Sequence, residues 1–238
     1  AAPAAAMSYD DAVDHVLRTD PTWAYDTTEI RGVTYRVFRN APAHVPALLR
    51  QSRGKHDGGA ADFLVYGDER LSYDATLAQV DALADALRTR MGLGPGDRIA
   101  IWAPNIHEWV VAALGLHSVG AVLVPINTRF KGAEAGYVLK KSRARMLLTV
   151  EGFLNNHYVG MLREAMGGEG SKHPVADLPD LQRVVVLRGE IPAATSSWQD
   201  FLALGESTSA DEAIGRAGAV KPDDLSDILF TSGTTGQP

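Results

Sequence analysis

Eight residues, Thr231-Ser232-Gly233-Thr234-Thr235-Gly236-Gln237-Pro238, concentrate the groups best suited to chemistry: four hydroxyls and two glycines in one short loop. A loop of this kind can cradle phosphate. Its glycines let the backbone turn N–H groups toward an anion, and the Thr and Ser hydroxyls add neutral donors. The apolar run before it, Ile228-Leu229-Phe230, reads as the end of a buried strand that would present the loop. The G-x-x-x-x-G-K-[ST] pattern cannot be fitted and the loop holds no Lys, so it is a different kind of phosphate cradle. Composition alone also describes a frayed, hydroxyl-rich terminus.

Other chemically suggestive residues read as structural. His15, His44, His56, His107, His117, His157 and His173 form no H-E-x-x-H pattern and no helix-spaced ligand pair, and His117 reads as a core or interface residue. Asp10-Asp11 and Asp223-Asp224 are adjacent in sequence only; neighbours on a helix point apart, so both pairs read as caps or solvated charge. The basic run from Lys140 to Arg145 falls at an expected helix C-terminus, where cations complement the dipole. Trp102 and Trp109 read as core, and nothing resembles a nucleophile elbow.

The elements that must position the loop follow from periodicity. Tyr9–Arg18 reads as a helix ending at Asp20-Pro21, Glu29–Phe38 as a hairpin around Arg31-Gly32, and Val45–Gln51 as a short helix. Lys55–Ala60 is an exposed loop, and Phe63–Tyr66 with Leu71–Tyr73 brackets a second hairpin. Helix and strand then alternate. Helices are expected at Tyr73–Arg90, from Asn105 (with Glu108 as a capping box) through Val119, at Lys131–Lys141 and at Phe153–Ala165. Strands are expected at Arg98–Trp102, Ala121–Val124, Met146–Val150 and Val184–Leu187. The expected fold class is α/β, a mainly parallel sheet flanked by helices on both faces.

With 238 residues, 45% hydrophobic and 22% charged, the chain has the composition of an ordinary globular protein. A net charge of −6 argues against general nucleic-acid binding, and the absence of cysteine removes disulfides and thiolate chemistry and is compatible with a cytoplasmic location. Residues 1–6 precede Met7 and are expected to be a leader or cloning remnant. The apolar stretch 109–126 is interrupted by Gly115, His117, Ser118, Gly120 and Pro125, so no membrane span is expected there.

The string Asp227-Ile228-Leu229-Phe230-Thr231-Ser232-Gly233-Thr234-Thr235-Gly236-x-Pro238 closely resembles the phosphate loop of the adenylate-forming (AMP-binding) superfamily, which includes acyl-CoA synthetases, luciferases and peptide-synthetase adenylation domains. Three earlier segments are similar to that family's pattern in the same order: Gly94-x-Gly96-Asp97-Arg98-Ile99-Ala100-Ile101, Pro104-Asn105 with Glu108-Trp109, and the run from Gly120 to Arg129. The resemblance runs from about Phe63 to Pro238 and fits the acyl-CoA synthetase type, N-terminal portion; residues 190–220 match little.

The resemblance implies the first α/β subdomain of an adenylate-forming N-terminal domain over 63–238, preceded over 7–62 by a helix, hairpin and linking helix. It implies ATP, Mg²⁺ and CoA as cofactors and a carboxylic acid, of fatty or other apolar type, as substrate. Carried over by residue, Thr231, Ser232, Thr234 and Thr235 would supply hydroxyls to the β- and γ-phosphates, and Gly233 and Gly236 backbone amides and room. The family's adenine, ribose and Mg²⁺-linked residues and its catalytic Lys follow the phosphate loop. No catalytic residue and no metal ligand is therefore assigned, and these 238 residues alone are expected to be inactive. Alternatives are a ligase that loads a carrier protein, or a non-catalytic binding or oligomerisation module; a homodimer is compatible with either.

Overall fold

Ser8 accepts the Asp11 backbone N–H at 3.1 Å and starts the first helix, α1 (Tyr9–Thr19), which stops before Pro21 as expected. In the computed structural model, residues 7–168, 173–205, 215 and 217–231 are described. After a 3₁₀ turn at Pro21–Trp23, β1 (Tyr25–Ile30) pairs antiparallel with β2 (Val33–Phe38). Arg31 and Gly32 take φ of 51° and 78°, the twisted two-residue turn that suits a hairpin. β1 begins earlier than expected, because Thr27 and Thr28 gain cross-strand partners in Arg36 and Tyr35. These elements belong to one compact unit, Ala1–Ala43; His44–Pro238 forms another.

In the second unit, α2 (Val45–Arg53) leads to the hairpin of β3 (Asp62–Tyr66) and β4 (Glu69–Ser72) and then α3 (Tyr73–Asp85), capped by Ser72. The expected helix to Arg90 changes at Ala86 into a π-helical turn. The alternation continues with β5 (Arg98–Trp102), α4 (His107–Ser118), β6 (Val122–Pro125), α5 (Gly132–Ser142), β7 (Met146–Val150), α6 (Tyr158–Ala165) and β8 (Arg183–Arg188). A short β9 (Ser196–Ser197) and α7 (Trp198–Ala203), neither expected, follow.

The sheet is wholly parallel, ordered β6-β5-β7-β8-β9. The chain steps from β5 to β6 in one direction, then returns past β5 to β7. Right-handed crossovers therefore put α4 on one face, beside α3 and α7, and α5 with α6 on the other. Ile99, Ala100, Ile101 and Trp102, and Met146 through Leu148, have no exposed surface, the burial expected of strands covered on both faces.

Two helix starts differ from expectation. Asn105 does not cap α4: the N-cap is Ile106, whose N–H bonds the Pro104 carbonyl at 2.8 Å, and the Glu108 carboxylate is drawn to Arg188 instead. The expected helix Phe153–Ala165 is broken. Gly152, Leu154 and Asn155 adopt left-handed φ of 83°, 52° and 58°, and Glu151 caps the true start by accepting the Val159 N–H at 2.6 Å. Among the described residues, no helix is long and apolar enough to cross a membrane.

Candidate functional site

In an open parallel sheet, ligands bind beyond the carboxyl ends of the strands, where the strand order reverses. Here that point lies at the ends of β5 and β7, with Trp102 in register beside Thr149 and β6 flanking β5. The segment leading into the candidate loop docks on the free side of β6. The Leu123 N–H donates to the Ser226 carbonyl at 2.8 Å, and the Ile228 N–H donates to the Leu123 carbonyl at 2.9 Å. This makes a parallel bridge between Leu123 and Asp227.

The expected buried strand over Ile228–Phe230 is not formed. Only the one bridge exists, Ile228 and Phe230 are half-buried, and Leu229 is 70% exposed. The reason lies on the neighbouring strand. The next rung needs an N–H from residue 125, which is Pro125, so β6 has no donor to extend the ladder. Phe230 instead meets the Tyr137 ring of α5 edge-on at 6.3 Å.

Of the candidate phosphate residues, Thr231 is described and exposed; Ser232, Gly233, Thr234, Thr235 and Gly236 lie outside the described residues. The Leu123–Asp227 bridge runs the segment before Thr231 parallel to β6, toward the carboxyl end of the sheet. Asn127 opens the turn that carries the chain from β6 to α5. The Phe130 N–H donates to the Asn127 carbonyl at 3.0 Å, and the Arg129 N–H donates to Asn127 Oδ1 at 2.9 Å. Asn127 and Arg129 are exposed, so the turn offers an amide and a guanidinium beyond the end of β6. Donors of this kind suit an anion.

The same end of the sheet carries an ion cluster that sequence reasoning missed. Arg188, ending β8, donates from Nε to Glu108 Oε1 at 2.7 Å and from both terminal nitrogens to the Glu69 carboxylate at 3.0 and 2.6 Å. His107 Nδ1 lies 2.7 Å from Glu69 Oε2, and the Tyr66 ring sits 5.4 Å beneath the guanidinium. These hydrogen bonds hold the Glu69 carboxyl below the usual carboxylate range and push Arg188 up. The Glu108 side chain is only 7% exposed and its Oε2 has no partner. The signal was present in Glu108, whose position at a helix start drew a capping reading; its partner is eighty residues away and nothing local reveals it.

The remaining candidates behave structurally. No three His, Asp or Glu residues group as a metal site among the described residues. His117 lies 3.7 Å from Asp227 with its Nε2 unbonded. Asp224 accepts the Lys221 N–H at 2.8 Å in a local turn, while Lys140 and Lys141 fill the last turn of α5. Arg143 pairs with Asp180 at 3.2 Å and Arg145 with Asp97 at 2.8 Å. Trp102 is fully buried as expected, and Trp109 partly so. Burial pushes the Glu151 carboxyl up, against the bond from Val159.

Residues 50–238 match the family described as AMP-binding enzyme. The chain belongs to the AMP-binding enzyme family. Relatives include the 3-[(3aS,4S,7aS)-7a-methyl-1,5-dioxo-octahydro-1H-inden-4-yl]propanoyl:CoA ligase of Rhodococcus jostii, 39% identical over 198 residues that cover 82% of this chain and 36% of the relative. The mitochondrial medium-chain acyl-CoA ligase ACSF2 of Homo sapiens is 30% identical, with 74% of this chain and 29% of the relative covered. Among solved structures, the anthranilate CoA ligase AuaEII bound to anthranoyl-AMP superposes with a TM-score of 0.65 at 22% identity, covering 84% of this chain and 34% of that one. The N-terminal subdomain of Klebsiella oxytoca NpsA superposes at 0.56 with 22% identity, covering 83% and 40%. These AMP-binding enzymes share the five-stranded fold, the N-terminal part of an adenylate-forming domain. The chain spans about a third of the length of the curated relatives it matches.

Proposed function

We propose that the protein to which this chain belongs is an AMP-forming acid–CoA ligase. It activates an apolar carboxylic acid with ATP as an acyl-adenylate and passes the acyl group to CoA. The observation that carries this reading is the parallel bridge of Asp227 on β6, which sets the segment before the loop running toward the carboxyl end of the sheet. The phosphate residues are Thr231, Ser232, Gly233, Thr234, Thr235 and Gly236. Their work is positioning: hydroxyls and amides hold the β- and γ-phosphates, so pyrophosphate departs in line as a carboxylate oxygen attacks the α-phosphorus. Mg²⁺, when bound, neutralises phosphate charge, and its ligands follow the phosphate loop in the family pattern.

Apolar substrates fit the names of the relatives, which act on an indane-type propanoate and on medium-chain acids. The functional division falls at residue 63, and the enzyme works in the cytoplasm. These 238 residues alone do not turn over, because the residues for adenine, ribose and the catalytic Lys are not among them. ATP–pyrophosphate exchange on an acid panel tests the reading. The full-length protein should exchange with at least one apolar acid, and the 238-residue polypeptide with none. Exchange with no acid would overturn the ligase reading, and acyl transfer to a carrier protein but not to CoA would overturn the choice of acceptor.

A further inference from the structure

The amino end of the parallel sheet, opposite the end toward which the loop segment runs, carries a cleft ringed by positive charge. The cleft has a volume of about 100 Å³ and lies between the last turn of α5 and the segment that enters β8. Leu139, Leu178 and Leu181, all buried, give it an apolar lining, and the exposed Lys140 and half-buried Asp180 stand beside them. Four cations gather here, in a chain whose net charge is −6: Arg98, Lys140, Lys141 and Arg143. Asp180 pairs with one of them, Arg143, at 3.2 Å. Among the described residues, no carboxylate pairs with Arg98, Lys140 or Lys141.

Completing the helix end does not account for all four. The α5 dipole and the orphan carbonyls of its last turn call for positive charge. Arg98 already supplies it, donating from Nε to the Ser142 carbonyl at 2.9 Å and from a terminal nitrogen to the Arg143 carbonyl at 3.4 Å. Lys140, Lys141 and Arg143 come in addition, and all three are exposed. Arg143 is also held in a strained backbone. It ends α5 at φ 55°, a left-handed position that glycine or asparagine adopts with least strain. Strain of this kind points to a use for the side chain placed there. A carboxylate already feels the field of these cations: the hydrogen bond from Arg143, aided by the charges of Arg143 and Arg98, holds Asp180 below the usual carboxylate range.

We propose that this cleft docks an acidic peptide segment of a partner protein, with one apolar side chain on the leucines and flanking carboxylates on the cations. The leucine lining decides the class of ligand. An inorganic anion or a nucleic-acid backbone gains nothing from it, and no buried polar side chain is among the lining residues to hold either. A peptide gains from lining and rim together. The rest of a chain with net charge −6 repels such a segment, so the patch also selects where it lands. A segment held here leaves the carboxyl end of the sheet uncovered.

The test starts from random heptapeptides displayed on phage and selected on the immobilised full-length protein. Enriched peptides are synthesised with a fluorescein label, and their binding is followed by anisotropy. They should carry Asp or Glu on both sides of one Leu, Ile, Met or Phe. Affinity should fall about tenfold for the double variant Lys140→Gln, Lys141→Gln, which keeps helix-forming side chains in α5. It should fall about tenfold again when the peptide's apolar residue becomes Ala. Hydrogen exchange should slow on binding in residues 138–146 and 176–183. No enrichment, enrichment without acidic residues, or equal affinity for the variant would overturn the proposal. So would indifference to the peptide's apolar residue, or protection confined to other parts of the protein. A labelled single-stranded oligothymidylate that binds as tightly as the peptides would make the patch a general polyanion surface and overturn it too. Should the double variant fail to fold, the peptide substitution and the exchange footprint decide the matter on the unaltered protein.

Discussion

The two hairpins, β1–β2 and β3–β4, are built from the same local chemistry and reach different states of burial. Each has a turn with glycine at positive φ, Gly32 at 78° and Gly67 at 58°, between strands with apolar residues. In β1–β2 no residue is buried, and Ile30, Val33, Tyr35 and Val37 form one apolar face that is about half exposed. In β3–β4, Phe63 and Leu64 pack on the core, and Glu69 ties the strand to Arg188 and through it to Glu108. Turn chemistry makes a hairpin; a distant partner decides whether its side chains count toward stability.

The largest way to break the comparison is Arg188→Met. It leaves the buried Glu108 carboxylate without its cation and frees Glu69 on the hairpin. A loss of about 3 kcal/mol is expected in urea unfolding, the low end for stripping one partner from a buried pair, since the guanidinium is partly exposed. A cost below about 1 kcal/mol would mean the cluster is solvated and the two hairpins are equals. Ser72→Ala comes next. Ser72 ends β4 and caps α3 through the Ala75 N–H at 3.1 Å, so its loss should cost about 1 kcal/mol.

Acid offers a gentler probe. The hydrogen bonds from Arg188 hold the Glu69 carboxyl below its ordinary value. A depressed carboxylate contributes stability above its unfolded pKa, about 4.3, and loses it as pH falls through the folded value. Amide protection in β3 and β4 should therefore be flat from pH 7 to about 5 and fall below pH 4. Loss of protection already between pH 7 and 5 would assign the latch to a different group.

Much of the second unit was legible from local pattern. β5 and β7 fall where the apolar runs put them, because a strand covered on both faces is apolar throughout and its ends are marked by polar residues or glycines. What escaped depended on distant groups or on special backbone. The Glu108–Arg188 pair joins residues far apart in sequence, and the helix expected from Phe153 was broken by left-handed φ at Asn155, which tolerates it, and at Leu154, a side chain that does not advertise it. The candidate site was half legible. Its loop composition could be read directly, whereas the docking of Asp227 on the free edge of β6 required the fold. The failed strand at Ile228–Phe230 belongs to the same class: apolar content promised burial, but Pro125 on the neighbouring strand denied it a rung.

The smallest expected effect sharpens the comparison most. Val37→Thr keeps a β-branched side chain of nearly the same shape on the apolar face of β2, opposite Asp26, and changes only how that face meets water. Val37 is 41% exposed, so unfolding stability should move by less than about 0.5 kcal/mol. The measurement is made twice, on the 238-residue chain and on the full-length protein. A cost that stays small in both leaves β1–β2 a solvated hairpin held by its turn and by the Arg39–Asp26 pair at 2.7 Å. A cost above about 1 kcal/mol in the longer protein alone would mean that its remainder covers Val33, Tyr35 and Val37. The two hairpins would then differ only in which stretch of chain completes them.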